Sequence, residues 1–223
     1  MYFALPSQLN DPFDCQIDVR KSAQHAISRM SGNEKDTLEH ISKIPDFFDD
    51  IQSRLTKIGV CSFSLTLEEP VLWSHYADEH KGVCLLYQFT EEFLTEPSNR
   101  IVGVTDVTYG ENSLSDWFIE QIPEEIEDRF YDVFPRELLK RVLLVKGAAW
   151  EYEKEARIIR ENEGPFDIPR DCLKQVCFGL NTSDSDESLV RQIVDRSGYT
   201  VNFCKIVKGD SDFGLTTVET YEV

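Results

Sequence analysis

Three acidic side chains and one arginine recur at every second position in residues 150–157. In an extended chain alternate side chains point to the same face, which predicts that Glu151, Glu153, Glu155 and Arg157 line up together. Neighbouring carboxylates repel one another unless a cation or a ligand compensates them, and Arg157 compensates one of them. Two interpretations follow: a solvated edge strand with a surface ion pair, or a carboxylate held in a cleft by Arg157 and flanking aromatic residues. The second is favoured.

A second polar group is the run Trp-Ser-His-Tyr at residues 73–76, followed by Lys81 and a glycine. An indole, an imidazole and a phenol beside a glycine turn can stack on a flat ligand and hydrogen-bond to it. The competing interpretation makes Trp73 and Tyr76 core aromatics and His75 a hydrogen-bonded neighbour. The sequence does not separate the two interpretations.

Spacing argues against a metal centre and against a serine hydrolase. His75, His80 and Cys84 match neither two histidines four apart on one helix face nor a pair of cysteines. No G-x-S-x-G turn occurs in the chain. Ser74, adjacent to His75 in the sequence, cannot reach that imidazole in the geometry of a catalytic triad.

The junction at residues 179–183 joins an apolar run to a helical pattern, which is a place where an anion can bind. Asp184, Asp186 and Glu187 fill the first turn of that helix with negative charge and would repel an anion. They are interpreted as capping residues that compensate the helix dipole.

The chain has 223 residues and a formal net charge of −18, from 41 acidic and 23 basic residues. An acidic surface repels polyanions, so non-specific nucleic-acid binding and anionic membranes are not expected. The same surface suits a basic protein partner. The sequence shows no signal peptide, that is, no positively charged start followed by an apolar core, and no apolar run long enough to span a membrane. We therefore expect a cytoplasmic protein.

The six cysteines contain no C-x-x-C pair, and several lie in apolar runs. They are predicted to be reduced core thiols.

Periodicity predicts an α+β fold with a mixed or antiparallel central sheet flanked by helices, in one domain over residues 1–223. Helices are expected over 16–31, 35–57, 70–79, 113–146 and 184–196, with breaks at Pro123 and Pro135. Strands are expected over 58–64, 83–89, 101–109, 150–160, 172–180, 199–207 and 215–223. No internal repeat is present.

Several motifs together resemble a bacterial family, the domain of unknown function 2971 (DUF2971). They are residues 3–14 with the Asn-Asp-Pro-Phe-Asp run at 10–14, residues 72–84, residues 146–157 and residues 176–181. The resemblance covers nearly the whole chain. Members of the family commonly carry a short tyrosine-containing segment before the piece that begins here at Tyr2, and this segment is expected to be absent.

The motif layout is also similar, more distantly, to ADP-ribosyltransferase-like folds, in which a late Glu-x-Glu strand helps to bind NAD. This resemblance implies NAD as a substrate, and no cofactor is firmly implied. Cleavage of the nicotinamide–ribose bond develops an oxocarbenium ion, which a carboxylate stabilises. The resemblance implies Glu155 as that carboxylate and Glu153 as the group that orients the acceptor.

The remaining site residues follow from the same resemblance. Trp73 or Tyr76 would stack on nicotinamide, and Asn10 or His75 would hold ribose hydroxyls. The wider set of predicted ligand-binding and catalytic residues is Asn10, Asp11, Phe13, Trp73, His75, Tyr76, Lys81, Trp150, Glu153, Glu155 and Arg157.

Two alternatives stay open. One is a non-enzymatic binding or regulatory module, for example part of a bacterial defence or toxin–antitoxin system, which engages a basic partner. The other is a hydrolase of a nucleotide-like ligand that uses the glutamate cluster as a general base.

Overall fold

The computed structural model describes residues 1–127, 129–209 and 214–220. The α-helices span Val19–Arg29 (α1), Asn33–Lys43 (α2), Phe47–Leu55 (α3), Pro70–Tyr76 (α4), Glu91–Thr95 (α5), Leu114–Gln121 (α6), Phe130–Leu144 (α7) and Asp184–Arg196 (α8). The strands span Tyr2–Phe3 (β1), Gly59–Ser64 (β2), Val83–Tyr87 (β3), Ile101–Asp106 (β4), Thr108–Gly110 (β5), Val145–Gly147 (β6), Glu155–Arg160 (β7), Gly164–Pro165 (β8), Leu173–Phe178 (β9), Asn202–Lys208 (β10) and Leu215–Glu219 (β11). Short 3₁₀ helices occupy Pro6–Gln8, Pro97–Asn99, Ala148–Glu153 and Arg170–Cys172. The predicted α+β fold class is confirmed.

Spatial contacts divide the chain into two compact units, each assembled from separate stretches of sequence. Unit 1 comprises Met1–Phe63, Arg100–Glu151 and Glu155–Phe166. Unit 2 comprises Ser64–Asn99, Tyr152–Lys154 and Asp167–Val223. The single domain over residues 1–223 stays a prediction.

Unit 1 contains a three-stranded sheet with the order β2-β7-β4. β4 and β7 run antiparallel, with Val104 opposite Ile158. The central strand β7 is buried along most of its length, and the buried residues include Arg157 and Arg160. Charged groups in such a position require partners, because an unpaired buried charge is costly.

Two small strand pairs complete the β-structure of unit 1. β1 and β8 are antiparallel, with Phe3 opposite Gly164, and Ala4 bridges to Val60. β5 and β6 pair in parallel. The first residues of the chain are therefore fixed by segments that come much later in the sequence.

The core of unit 1 is formed by the apolar stripes of α1, α2, α3, α6 and α7. The second helical region, expected over 35–57, has its apolar residues at helical spacing buried: Leu38, Ile41, Phe48, Ile51 and Leu55. This is the pattern expected of amphipathic helices that cover a core. The region is not one helix, because α2 ends at Lys43 and α3 begins at Phe47, with Pro45 between them.

Unit 2 contains a four-stranded mixed sheet with the order β11-β10-β9-β3. β9 and β10 are parallel and are connected through α8, whereas β3 pairs with β9 antiparallel and β11 pairs with β10 antiparallel. Cys177 lies opposite Cys84 on one side and opposite Cys204 on the other. Three thiols therefore lie side by side across adjacent strands.

The two faces of this sheet carry different helices. Cys177 and Cys204 belong to a cluster that contains Trp73 of α4. Phe178 belongs to another cluster, which contains Val194 of α8. The alternation of side chains along a strand explains why neighbours such as Cys177 and Phe178 belong to different clusters.

The acidic segment 150–157 is only partly extended. Ala148–Glu153 is a 3₁₀ helix, and β7 begins at Glu155. Glu151 and Glu153 therefore lie on the helix, and the predicted row of four charges on one strand face is wrong. The same holds for the predicted Glu-x-Glu strand. Alternation over so few residues does not distinguish a strand from a tight helical turn.

Two further predicted boundaries differ from the structure. Pro123 follows α6 as expected, but α7 continues through Pro135. The proline removes one backbone donor from α7, while Phe134 and Leu138 anchor that part of the helix in the core. The strand predicted over 101–109 is divided into β4 and β5. Position 128 of the predicted helical region and positions 221–223 of the last predicted strand lie outside the described residues.

Candidate functional site

Helix α4 presents a row of polar side chains in unit 2. It begins after Glu69, whose side chain accepts a hydrogen bond from the backbone N–H of Val71. Ser74, His75 and Tyr76 are exposed near its end. Helix α4 therefore displays a hydroxyl, an imidazole and a phenol.

Trp73, on the same helix, is only 4% exposed. Its indole Nε1 donates to the carbonyl of Leu67 at 2.7 Å, and the ring packs with Cys177 and Ile206. Trp73 is thus a core residue, and the predicted stacking of its ring on a ligand is not supported. The exposed Tyr76 is left as the aromatic candidate for that role.

A buried carboxylate lies against Tyr76. The phenol donates to Oε1 of Glu153 at 2.8 Å, and Glu153 is only 5% exposed although Tyr76 is 54% exposed. The hydroxyl of Ser64 donates to the backbone carbonyl of Glu153 at 2.7 Å. Both the side chain and the backbone of Glu153 are therefore held in place within unit 2.

His75 approaches a second phenol. Its Nδ1 lies 3.4 Å from the hydroxyl of Tyr152, which immediately precedes Glu153. The His75 and Tyr152 rings are 6.3 Å apart in an edge-to-face arrangement. His75, Tyr76, Tyr152 and Glu153 together form a cluster of hydrogen-bonding groups, which we call the α4 site. It offers donors and acceptors to a polar ligand and an aromatic surface for stacking.

The loop after α4 has an unusual backbone. Asp78, Glu79 and His80 have φ values of 44°, 54° and 69°, so three consecutive residues with a Cβ adopt left-handed conformations. Such conformations cost roughly 1–2 kcal/mol per residue. The backbone N–H of His80 donates to the carbonyl of Trp73 at 3.1 Å, which ties the loop back to the helix. The remaining cost must be offset by contacts from elsewhere in unit 2.

Those contacts come from the segment after β9. The backbone N–H of Asn181 donates to the carbonyl of His80 at 2.9 Å, and its side-chain amide donates to the carbonyl of Glu79 at 3.1 Å. Thr182 Oγ1 donates to the carbonyl of Gly82 at 3.0 Å. The Gly-Leu-Asn-Thr run therefore clamps the left-handed loop, a role that its sequence did not reveal.

Gly179 is required by the same clamp. A Cβ at this position would lie 2.1 Å from the carbonyl oxygen of His80, well inside van der Waals contact. The following helix α8 is capped by Ser183, which accepts from the backbone N–H of Asp186 at 3.2 Å, and not by the acidic residues that were predicted as caps. Acidic residues fill its first turn.

Ser74 and His80 form a hydrogen-bonded pair, with 3.0 Å between Oγ and Nε2. The Nδ1 atom of His80 is buried and has no hydrogen-bond partner among the described residues. If His80 took the proton of Ser74, both ring nitrogens would carry protons and Nδ1–H would be a buried donor without an acceptor, which costs about 1–3 kcal/mol. A proton transfer from Ser74 to His80 is therefore disfavoured, and the hydrogen bond holds the Ser74 hydroxyl in place.

Glu155 belongs to a different environment, in unit 1. Arg157 is fully buried, and its Nε donates to Oε1 of Glu155 at 2.6 Å. Its Nη2 donates to Asp14 at 2.5 Å and its Nη1 donates to the carbonyl of Leu143 at 2.6 Å. Burial alone would lower the pKa of Arg157, but the hydrogen bonds to Glu155 and Asp14 raise it above its ordinary range.

Lys146 completes this ion cluster. Its Nζ lies 3.3 Å from Oε2 of Glu155 and 3.6 Å from Oδ2 of Asp14, and it lies over the ring of Trp150 at 4.8 Å. Lys146 and Arg157 thus contact the carboxylates of Asp14 and Glu155, and all four side chains are at most 7% exposed. Glu155 is therefore a structural partner of Arg157. This agrees with the ion-pair interpretation of the segment, except that the pair is buried and does not lie on the surface.

The other predicted site residues have plainer surroundings. Asp11 accepts from the backbone N–H of Phe13 at 2.9 Å in a local turn, and Phe13 is 85% exposed. Asn10 is exposed in the same loop. Lys81 lies 3.5 Å from Glu79, so its charge is compensated. The convergence of Asn10 with residues of unit 2 stays a prediction.

The Asn-Asp-Pro-Phe-Asp motif contributes a residue that the site prediction omitted. Asp14 is buried and carries the ion pair with Arg157. The next residue, Cys15, has a φ of 58° and accepts from Nη1 of Arg157 at 3.0 Å. Two features of the sequence could have indicated this ion pair: the motif ends in a carboxylate, and an arginine lies in the apolar strand predicted later in the chain.

In the described ranges the structure contains no helix with the length and hydrophobicity needed to cross a bilayer. Among those residues there is also no group of three or more histidine, cysteine or acidic side chains arranged to hold a metal ion.

Comparison with known proteins gives one family match. Residues 72–158 match the model of a family described as "Protein of unknown function (DUF2971)". No curated protein and no solved structure matches the chain. The matched residues contain α4 from residue 72 onwards, its left-handed loop and the acidic segment, whereas residues 3–14 and 176–181 lie outside the match. The family resemblance seen in the motifs is thereby confirmed: over residues 72–158 this chain carries the pattern of the DUF2971 family.

Proposed function

We propose that this protein cleaves the bond between nicotinamide and ribose in NAD, using Glu153 of the α4 site as the stabilising carboxylate. The observation that carries the proposal is the 2.8 Å hydrogen bond from Tyr76 to Glu153. It fixes a buried carboxylate beside an exposed aromatic ring and next to an exposed imidazole. The carboxylate can stabilise the developing positive charge, and the ring and the imidazole can bind the substrate.

The chemistry assigns each group a task. When the bond from C1′ of the ribose to the pyridine nitrogen breaks, its electron pair goes to nicotinamide, which leaves neutral. The ribose becomes an oxocarbenium ion, and a fixed carboxylate stabilises this positive charge without reorganising. Water or another hydroxyl then attacks C1′ and loses its proton.

The neighbouring side chains of the α4 site support binding. The ring of Tyr76 is exposed enough to stack on nicotinamide, and His75 can exchange hydrogen bonds with ribose hydroxyls. Glu155 is not proposed as the catalytic carboxylate, because Arg157 and Lys146 already neutralise it. In this proposal Glu153 takes the role first expected of Glu155.

The test is to incubate the protein with NAD and measure the released nicotinamide by chromatography. Glu153→Gln keeps an oxygen that accepts from Tyr76 but removes the charge, and should lower turnover by on the order of a hundredfold or more. Glu151→Gln is the matched control, because Glu151 is exposed on the same 3₁₀ helix. It should leave turnover unchanged.

Three results would count against the proposal. Full turnover in Glu153→Gln would remove Glu153 from the mechanism. Saturable NAD binding without released nicotinamide would indicate a non-enzymatic binding module instead. The absence of both binding and turnover would rule out NAD as the ligand.

A further inference from the structure

Unit 1 contains a cavity of about 340 Å³, away from the ion cluster, where the end of α6 meets the start of α7. Trp117 and Gln121 come from α6, and Phe130, Phe134 and Glu137 come from α7. A volume of this size lies within the range of ordinary ligand pockets. Neither the ion cluster nor the α4 site shares any residue with it.

One wall of the cavity is aromatic and fixed. The rings of Trp117 and Phe134 stack at 5.4 Å, and those of Phe130 and Phe134 stack at 4.6 Å. Phe134 is 5% exposed and belongs to the core of unit 1. Because its central ring is anchored in the core, the wall is formed before any ligand arrives.

The rim of the cavity is acidic. Glu125, Glu127 and Glu137 line it, and Arg129 is the cation of the lining. Glu137 pairs with Lys140 at 2.7 Å, whereas Glu125 and Glu127 form no ion pair within the described part of the chain. Both are exposed. The cavity therefore combines an apolar aromatic wall with two carboxylates, Glu125 and Glu127, that face one lining cation, Arg129, and form no ion pair among the described residues.

We infer that this cavity, here called the α6–α7 pocket, receives a lysine or arginine side chain of a basic partner protein. The apolar stem of such a side chain packs against the rings, and its charged head reaches the carboxylates of Glu125 and Glu127. A cation over an aromatic face, Trp most of all, adds a favourable electrostatic contact. The net charge of −18 favours encounter with a basic partner over an acidic one.

Charge complementarity also selects among occupants. An anionic ligand would meet the carboxylates of the rim, and a second copy of this chain would bring another strongly acidic surface. A neutral apolar ligand would use the rings but would leave the acidic rim without a role. The basic side chain of a different protein uses both features.

The experiment titrates the full chain with a short lysine-rich peptide by calorimetry, and follows the indole N–H signal of Trp117 by NMR. The double variant Glu125→Gln/Glu127→Gln should weaken binding by about tenfold, because it removes both carboxylates that pair with the charged head and leaves the aromatic wall unchanged. Both side chains are exposed, so folding should be preserved. The indole signal of Trp117 should shift during the titration of the wild type.

The matched control is Glu91→Gln/Glu92→Gln, which removes the same charge from exposed positions on α5. Its affinity should equal that of the wild type. Equal weakening by both double variants would mean general attraction to an acidic surface and would overturn the inference. It would also be overturned if the Trp117 signal did not respond, or if a peptide with glutamine in place of lysine bound equally well.

Discussion

Arg157 is fully buried and donates from Nε to Oε1 of Glu155 at 2.6 Å, two residues away on the same strand. In β7 this pair lies on one face, and the second oxygen of Glu155 accepts from Nη2 at 3.1 Å. A bidentate pair of this kind fixes both side chains. Glu155 thus compensates the buried positive charge of Arg157. It does not belong to a row of mutually repelling carboxylates.

Replacing Glu155 with Gln should therefore lower stability, by about 3 kcal/mol, because it leaves buried cations without their counter-charge. Denaturant unfolding monitored by circular dichroism measures the change. Glu151→Gln, at an exposed position, should change stability by less than about 0.5 kcal/mol. An increase in the stability of Glu155→Gln would instead indicate that repulsion among carboxylates dominates.

The hydroxyl of Tyr76 should matter more for activity than for folding. Tyr76→Phe keeps the exposed ring but removes the donor to Glu153, and the loss of stability should be about 1 kcal/mol. If NAD is the substrate, nicotinamide release should fall on the order of tenfold, the effect of about 1.4 kcal/mol in the barrier. Tyr131→Phe, an exposed tyrosine of α7, is the control and should change neither quantity. Unchanged release in Tyr76→Phe would argue against a positioning role.

The clamp on the left-handed loop can be tested at a single glycine. Gly179→Ala should destabilise the protein by at least about 2 kcal/mol, because its Cβ would overlap the carbonyl oxygen of His80 and the backbone must shift. Gly110→Ala is the control, since no atom lies within 4 Å of a Cβ there. Thermal unfolding of the two variants gives the comparison. Similar midpoints in the two variants would show that the backbone around residue 179 can shift without loss of stability.

The sequence predicted much of the local structure and part of the chemistry. The stripe from Leu38 to Leu55 identified helical structure with one buried face, because amphipathic periodicity sustained over several turns is specific to such helices. It did not show that the region is divided into α2 and α3 around Pro45. The sequence also did not identify the second carboxylate that pairs with Arg157: this is Asp14, which lies more than a hundred positions earlier. Pairings at that separation are set by tertiary structure, and a single sequence carries no direct record of them.

The clamp illustrates a second limit. The sequence showed a glycine and an asparagine after β9, but the need for both arises from three left-handed residues at Asp78, Glu79 and His80. Only glycine visits such conformations freely, so no propensity rule predicts them at an aspartate, a glutamate and a histidine in succession. For Trp73 the sequence left two roles open, since its neighbours were compatible with core packing and with ligand stacking. The burial of its ring in the structure shows that it packs in the core.

The thiols should be reduced and slow to react in the native protein. All six cysteines are free in the structure, and burial raises the pKa of Cys61 to about 11 and raises the pKa of Cys15 and Cys177 above their ordinary range. Since the thiolate is the reactive form, alkylation at about pH 8 should be slow until the protein is denatured. Mass spectrometry should then find six modified cysteines. A disulfide-linked peptide would contradict this prediction.

Asp116 should titrate well below its ordinary range. Hydrogen bonds from Ser113 and from Arg29 lower the pKa of this carboxyl from 3.8 to about 2. A lowered folded-state pKa contributes stability above pH 3.8, and this contribution is lost as the pH falls towards 2. Ser113→Ala should move the pKa of Asp116 back towards 3.8, as measured by NMR titration. The pKa of Asp18, which a hydrogen bond from the backbone of Lys21 lowers, should stay unchanged. An unaltered Asp116 titration would mean that Ser113 is not a main cause.

The interleaved strand pairing has a consequence for synthesis on the ribosome. β1 pairs with β8 and β3 pairs with β9, with Phe3 opposite Gly164 and Val83 opposite Phe178. Neither unit can complete its strand pairing until most of the chain has emerged, and closing such long loops is slow. During this time strand edges such as that of β3 have no partner strand. β3 also carries two exposed leucines, Leu85 and Leu86. Until the later strands are synthesised, the nascent chain stays soluble only if its aggregation is slow or if chaperones bind its exposed segments.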